Sequence, residues 1–190
     1  MNWLLIIEIL AVAFGLLYLV LMIRQHISCW FFGIVGSLLS IFLFFHSQLY
    51  SEAILYFYYV IMGFYGYFLW SQKDSKNESF ILSVNEFKFF THFICISICS
   101  FFALGMAWLF DTYTDADRPY LDAFTTVFSF FATYLEAKKV LSGWLYWIVI
   151  NGITILLYTS KGLDIYAALT VVYFLMSFVG YYQWRRTIGS

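Results

Sequence analysis

A short run in the last third of the chain carries two indoles and one carboxamide among otherwise apolar side chains. Its sequence is GWLYWIVIN, residues 143–151. In an α-helix Trp144, Trp147 and Asn151 stand at positions i, i+3 and i+7, so that they share one face. Indole rings stack on flat rings and attract cations, and a carboxamide both donates and accepts hydrogen bonds. These residue types can make stacking and hydrogen-bonding contacts, and none of them supplies a nucleophile or a general base.

The depth of Asn151 in a membrane follows from helix geometry. If the helix enters a bilayer near Ser142, Asn151 lies about 12 Å along it, close to the middle of a ~30 Å hydrocarbon core. Water is scarce at that depth, so a carboxamide needs another hydrogen-bond partner. Asn151 therefore indicates either a hydrogen bond between helices or the wall of a polar cavity.

Composition identifies the chain as an integral membrane protein. Of its 190 residues 63% are hydrophobic, 24% aromatic and 11% charged, far from the fractions usual in soluble domains. The apolar segments recur along the whole chain, so we interpret the first as a membrane span and not as a cleaved signal peptide. A net charge of −1 argues against a nucleic-acid partner. The cysteines lie in or beside apolar runs, and we interpret them as core residues, with no metal site and no cofactor.

The apolar runs predict an all-α integral membrane protein with seven transmembrane helices. Three of the runs are short, which a thin or locally deformed bilayer accommodates at modest cost. Two long polar connectors, 71–86 and 111–120, flank the fourth helix and isolate it. The predicted spans are residues 3–23, 29–45, 50–70, 87–110, 121–136, 143–159 and 163–184.

The chain matches itself when it is shifted by 114 residues without a gap. Shared composition would produce matches among Leu, Phe and Ile, but it would not align tryptophans and Gly-Tyr pairs in one register. We therefore interpret the chain as an internal duplication. The matched positions include Trp30 with Trp144, Tyr59 with Tyr173, Gly66-Tyr67 with Gly180-Tyr181, and Trp70 with Trp184.

The duplication predicts three segments. A first three-helix repeat covers residues 1–70, a linker with the fourth helix covers 71–120, and a second three-helix repeat covers 121–190. Three crossings reverse the direction of the chain, so the extra helix restores the orientation of the second copy. The predicted architecture is therefore 3+1+3 with parallel repeats, and carriers of this kind bind their substrates near the membrane midplane at the repeat interface.

Basic residues are distributed unequally between the two predicted faces of the membrane. Eight belong to one face and two, Arg118 and Lys161, to the other, which places the N-terminus outside and the C-terminus in the cytoplasm. Acidic residues lean to the outer face, and Glu8 in the first helix is a candidate for the point at which a cation enters. The alternative is that these acids are ordinary solvated residues. The eight basic residues are Arg24, Lys73, Lys76, Lys88, Lys138, Lys139, Arg185 and Arg186.

Two sets of motifs give the chain a family resemblance. The segment GWLYWIVIN at 143–151, followed by KGL at 161–163 and GYYQW at 180–184, resembles the PnuC family of bacterial vitamin transporters. The segment YGYFLW at 65–70 is similar to the matching element in the first half of that family. The resemblance covers nearly the whole chain.

The resemblance implies a SWEET-like fold and a homotrimer in the bacterial inner membrane. It also implies facilitated import, by alternating access, of an unphosphorylated cationic B vitamin that a cytosolic vitamin kinase then traps. Nicotinamide riboside carriers of the enteric type have Gln and Asn where this chain has Tyr56 and Gly63. The sequence therefore favours the thiamine branch (PnuT), with nicotinamide riboside as the alternative. Both vitamins are planar aromatic cations that aromatic side chains can hold.

The predicted binding residues are spread over both repeats. We expect Trp144 and Trp147 to stack on the ligand, Asn151 to hydrogen-bond it, and Ser37, the match of Asn151 after the shift, to face it from the first repeat. Gly33 and Ser37 also fit a packing seam between helices, and any single aromatic residue could instead pack against lipid or core. The remaining candidates share equivalent faces of the third and seventh helices, and they are Tyr56, Tyr59, Thr170, Tyr173 and Ser177.

Two other classes of protein compete with a transporter. An enzyme would need a nucleophile with its base, paired carboxylates or a histidine cluster at one depth, and the sequence offers none of these. A membrane scaffold that transports nothing would not require Asn151 or the duplicated tryptophans. We therefore predict a transporter and not an enzyme, while Glu8 leaves proton coupling open.

Overall fold

The computed structural model describes residues 3–46, 50–72, 82–113, 118–160 and 164–188, and side chains at 50–52 and 164–166 are not described. These residues form seven α-helices, which confirms the all-helical prediction, and each helix end lies within three residues of its predicted position. Lys73, Lys76 and the KGL motif at 161–163 lie outside the described residues. The helices are α1 (Trp3–Ile23), α2 (Ser28–His46), α3 (Tyr50–Ser71), α4 (Phe89–Tyr113), α5 (Pro119–Ala137), α6 (Gly143–Ser160) and α7 (Asp164–Arg185).

Five of these helices are long and apolar enough to cross a bilayer, judged on the described residues. They are α1, α2, the Ala53–Ser71 part of α3, α4 and α6. Helix α5 is less apolar because it carries Asp122, Glu136 and several threonines, and α7 ends in tyrosines and a glutamine. The prediction that α5 and α7 also span the membrane stays a prediction.

The chain divides into two compact units, Met1–Ser83 and Val84–Ser190. In the first unit α1 packs on α2 and α2 on α3, while in the second α4 packs on α5, α5 on α6 and α6 on α7. Helix α4, predicted to be a transmembrane helix within the linker 71–120, lies in the compact second unit, where it contacts α5. The division into repeats at 1–70 and 121–190 stays a prediction.

The turns that follow α1 and α5 have the same geometry. Each contains a residue in the left-handed region, Gln25 with φ 55° and Lys139 with φ 51°. In both turns the next backbone N–H donates to the carbonyl five residues earlier, over 2.9 Å in the first turn and 2.8 Å in the second. This is the Schellman motif that closes the carbonyl end of a helix. The two turns lie 114 residues apart, at matched positions of the proposed repeats.

A perpendicular pair of tryptophans packs the last two helices together in each unit. The ring centres of Trp30 and Trp70 are 5.4 Å apart at an interplanar angle of 86°, and those of Trp144 and Trp184 are 5.4 Å apart at 87°. All four side chains are at most 2% exposed. Edge-to-face pairs of this kind contribute about 0.5–1.5 kcal/mol beyond the area that they bury.

A glycine on the neighbouring helix lets each of these indoles approach the backbone. A Cβ atom added at Gly180 would lie 2.6 Å from three ring atoms of Trp144, closer than real Cβ contacts come. A Cβ atom at Gly66 would collide with Trp30 in the same way. Small residues at helix crossings allow this close packing in membranes, where van der Waals contact drives helix association.

Gly180→Ala tests this packing. The added methyl group meets the rigid Trp144 ring, so we expect a loss of stability of about 1–3 kcal/mol and a fall of roughly 2–12 °C in the apparent melting temperature of the detergent-solubilised protein.

Gly105→Ala on α4 is the matched control, because a Cβ atom there would meet no described atom within 4 Å. Alanine favours a helix over glycine, so this variant should melt at the same temperature as the parent or higher. A Gly180→Ala protein as stable as the Gly105→Ala protein would contradict the close packing.

Candidate functional site

The buried carboxamide of Asn151 makes a hydrogen bond across the α6–α7 contact. Its Nδ2 donates to the Ser177 hydroxyl over 3.3 Å, and that hydroxyl donates in turn to the Tyr173 carbonyl over 2.8 Å. Asn151 is 7% exposed and Ser177 2%. Of the two roles that the sequence left open for Asn151, the interhelical hydrogen bond is therefore present. Three of the predicted site residues, on two helices, come together here.

The two indoles of α6 lie in different surroundings. Trp144 is fully buried between Gly180 and Trp184, so packing accounts for its position. Trp147 is only partly buried and rests on a cluster formed by α4, α5 and α6. Its indole N–H is buried and has no partner among the described residues. The predicted role of both rings in stacking on a ligand stays a prediction.

Helix α7 presents its remaining candidates on the face that carries Ser177. Thr170 is buried at 6% exposure, and Tyr173, one helical turn further on, is partly buried. The spacing of i, i+3 and i+7 from Thr170 to Ser177 puts all three on one side of the helix. The structure thus gathers a hydroxyl, a phenol and a second hydroxyl on one stripe of α7, next to the carboxamide of α6.

The candidates of the first unit form an aromatic cluster around α3. The rings of Tyr56 and Tyr59 are 5.5 Å apart at an interplanar angle of 82°, and Phe44 of α2 lies 5.3 Å from Tyr56. Ser37 is buried at 7% exposure on α2. This unit therefore places the buried Ser37 and a group of tyrosines on neighbouring helices, and the role of these residues in binding stays a prediction.

Glu8 of α1 and Gly33 of α2 both lie in the described part of the first unit. Glu8 lies on α1 with an exposed side chain, and its role in cation uptake stays a prediction. Gly33 packs against α1, because a Cβ atom there would lie 2.7 Å from the Tyr18 ring. The alternative of a packing seam at Gly33 therefore agrees with the structure.

The structure contains a hydrogen bond between His92 of α4 and Tyr146 of α6 that the sequence did not predict. The His92 Nδ1 and the Tyr146 hydroxyl are 3.1 Å apart. Phe128 and Phe131 of α5 surround the Tyr146 ring at 6.3 and 5.2 Å. No periodicity connects residues 54 positions apart, so only the packing of α4, α5 and α6 shows this contact. It ties α4 to the helix that carries Trp147 and Asn151.

A shallow apolar groove of about 210 Å³ also lies in the second unit, between α4 and α5. It contains none of the predicted binding residues, and its lining offers almost no polar surface. An open apolar crevice of this kind suits hydrocarbon better than a charged vitamin. The groove is lined by Ala103, Leu104, Ala107, Tyr120, Leu121 and Phe124.

The apolar helices define a multi-pass membrane protein. In the interior of its second unit, the hydrogen bond between Asn151 and Ser177 forms a buried polar site. Residues 5–186 match the family described as nicotinamide mononucleotide transporter. Since the match covers nearly the whole chain, the protein belongs to this family, the PnuC family of vitamin transporters.

Relatives and a solved structure agree with this assignment. The chain is 25% identical over 216 residues to the nicotinamide riboside transporter PnuC of Escherichia coli, an alignment that covers 100% of this chain and 87% of that protein. It is 27% identical over 179 residues to the protein of the same name from Haemophilus influenzae, covering 92% and 76%. A crystal structure of the vitamin B3 transporter PnuC shares the fold, with a TM-score of 0.77, 23% identity and coverage of 94% of this chain and 80% of that one.

Tryptophan substitutions separate packing from other roles. Trp144→Phe and its match in the first unit, Trp30→Phe, should both lower stability by about 1–3 kcal/mol, because each removes part of a ring packed on glycine. Trp147→Phe should cost less, since that ring is only partly buried. Thermal unfolding in detergent measures all three. A Trp147→Phe variant that melts below the other two would contradict this order.

Proposed function

We propose that this protein imports nicotinamide riboside by facilitated diffusion with alternating access. The match of residues 5–186 to the nicotinamide mononucleotide transporter family carries the proposal, and the named substrate of the E. coli and H. influenzae relatives supports it. The sequence alone favoured thiamine, but no relative reported above is a thiamine carrier. The alternative, nicotinamide riboside, fits these relatives better.

The side chains of the second unit suit such a ligand. Nicotinamide riboside carries a cationic ring with a carboxamide, and indole and phenol rings attract cations. Trp147 is proposed to stack on the ring and to donate its unpartnered indole N–H to the ligand. Asn151 is proposed to hydrogen-bond the ligand, with Thr170 and Tyr173 beside it.

Further contacts to the ligand are proposed for a second group of predicted residues. Each of them offers an aromatic face or a buried hydroxyl, as expected for contacts with a charged ring and a sugar. Glu8 is proposed to attract the cation before it binds. The group consists of Ser37, Tyr56, Tyr59 and Trp144, while Ser177 is proposed to act through its hydrogen bond with Asn151.

Ligand binding tests the proposal directly. Isothermal titration calorimetry of the detergent-purified protein should show binding of nicotinamide riboside and weaker or no binding of thiamine. Asn151→Ala and Trp147→Ala should each weaken binding about tenfold or more, through a lost hydrogen bond and a lost ring contact.

Asn85→Ala is the matched control for the Asn151 variant. Asn85 is exposed, and its carboxamide donates to the Lys138 carbonyl over 3.1 Å at the α5–α6 turn. Its loss should leave affinity unchanged. Thiamine binding more tightly than nicotinamide riboside would reverse the substrate assignment, and equal binding by Asn151→Ala and the parent would remove Asn151 from the site.

The 3+1+3 arrangement of parallel repeats in a SWEET-like fold is also proposed. Each unit contains the same Schellman turn and the same tryptophan pair packed on glycine, at positions 114 residues apart. The occurrence of both features in both units, at the same spacing of 114 residues, is what a duplication would produce. In this architecture seven crossings would put the two termini on opposite faces, and the positive-inside rule would place the N-terminus outside and the C-terminus in the cytoplasm.

Two serines at the carboxyl ends of helices, on opposite predicted faces of the membrane, test this orientation. Ser71 ends α3 and Ser160 ends α6, and each exposed hydroxyl donates to the carbonyl three residues earlier, over 2.9 and 2.8 Å. In a variant without native cysteines, a membrane-impermeant maleimide should label Ser160→Cys on intact cells. Ser71→Cys should be labelled only after the cells are opened, and the reverse pattern would invert the topology.

The cellular setting is proposed from the family resemblance. We place the protein in the bacterial inner membrane as a homotrimer, surrounded by lipid. A downhill carrier accumulates its substrate only if the product is removed, so a cytosolic vitamin kinase that phosphorylates the riboside would complete the uptake. The transporter itself is proposed to have no enzymatic activity.

A further inference from the structure

The hydroxyl of Ser177 determines which end of the Asn151 carboxamide faces it. A hydroxyl has one hydrogen to donate, and that of Ser177 goes to the Tyr173 carbonyl over 2.8 Å. Towards Asn151 the Ser177 oxygen can therefore only accept. Nδ2 must lie 3.3 Å from this oxygen, and a reversed amide would place two acceptors against each other. The hydrogen-bond order thus fixes the orientation of the amide.

This orientation leaves the carbonyl oxygen of Asn151 turned away from Ser177. Within the described part of the chain, Oδ1 of Asn151 has no hydrogen-bond partner. Asn151 is 7% exposed, and an acceptor on so enclosed a side chain is costly to leave unpaired, so the oxygen is available to a ligand group that reaches it. A ligand group that donates a hydrogen bond satisfies it, whereas a carboxylate brings a second acceptor against it.

We propose that Ser177 is a positioning residue that sets substrate specificity by holding the Asn151 carbonyl oxygen towards the ligand. The site then prefers a pyridinium riboside with a carboxamide, whose NH₂ group donates, over the same riboside with a carboxylate. This inference rests on the proposed function, because it takes Asn151 to be a ligand contact.

The first unit lacks this hydrogen bond. Ser37 and Gly63 are the residues that the 114-residue shift matches to Asn151 and Ser177, and neither pairs an amide with a hydroxyl. A Cβ atom at Gly63 would be pressed against Ile34, so close packing requires glycine there. The hydroxyl that orients Asn151 is therefore a feature of the second unit alone among the described residues. Selection for the carboxamide would arise from this difference between the two units.

A purely structural role for Ser177 predicts a different result. Hydrogen bonds between membrane helices contribute little to stability on average, because the polar groups also find partners when the helices are apart in the membrane. As a mere link between helices, Ser177 would change the affinities for both ribosides by the same factor. As a positioning residue it changes their ratio, because only the carboxamide riboside depends on the direction of the Asn151 oxygen.

The test uses Ser177→Ala in the full-length, detergent-purified protein. Calorimetry gives the dissociation constants of nicotinamide riboside and of the riboside with a carboxylate in place of the carboxamide. The parent should prefer the carboxamide riboside by about tenfold or more, and Ser177→Ala should reduce this preference about three- to tenfold. Ser177→Cys, whose sulfur is a weak acceptor, should lie between them and serves if the alanine variant folds poorly.

Ser129→Ala is the control, because it removes another buried hydroxyl of the same unit, 6% exposed on α5. It should leave the ratio of the two constants unchanged. A parent that binds the carboxamide riboside without this preference, or a ratio that neither Ser177 variant alters, would overturn the inference and leave the proposed function standing. A parent that binds no nicotinamide riboside would overturn both.

Discussion

The close contact of a tryptophan ring with a helix backbone at glycine is the interaction on which the second unit depends. Inside a bilayer, lipid is as apolar as a leucine side chain, so helices associate through tight packing and not through the hydrophobic effect. Trp144 fits against Gly180 and Trp184 and fixes how α6 lies on α7. Asn151 and Ser177 lie on these same two helices, and their hydrogen bond follows from that fit.

The surroundings of the indole rings distinguish the tryptophans that pack helices together from Trp147. Those of Trp30 and Trp144 are buried without a partner among the described residues, at matched positions of the two units. Their rings are held by glycine and a second tryptophan, and this contact offsets the cost of an unpaired donor. Trp147 also has an unpaired N–H, but its ring is only partly enclosed. It therefore keeps a ring surface that a ligand can use, while its N–H is buried and unpaired within the described part of the chain.

Much of the fold could be predicted from periodic and compositional signals. The predicted helix ends agree with the structure to within three residues. A long apolar run bounded by polar segments must satisfy its backbone hydrogen bonds internally in a membrane, and a helix does this. The candidate site was predicted less completely. The sequence allowed Asn151 a hydrogen bond between helices but did not name Ser177 as its partner, and the contact of His92 with Tyr146 had no signal in the sequence. Trp144, expected to stack on a ligand, lies in a packed contact between helices.

The sequence by itself determined the class of protein, the positions of the helices and the family. These properties are written in composition and local spacing, which act over a few residues or repeat along the chain. Only the tertiary structure decided which side of α6 faces α7 and in which direction the amide of Asn151 points. Those features depend on side chains far apart in sequence that meet only when helices pack, and on a hydroxyl whose single hydrogen is already committed to Tyr173.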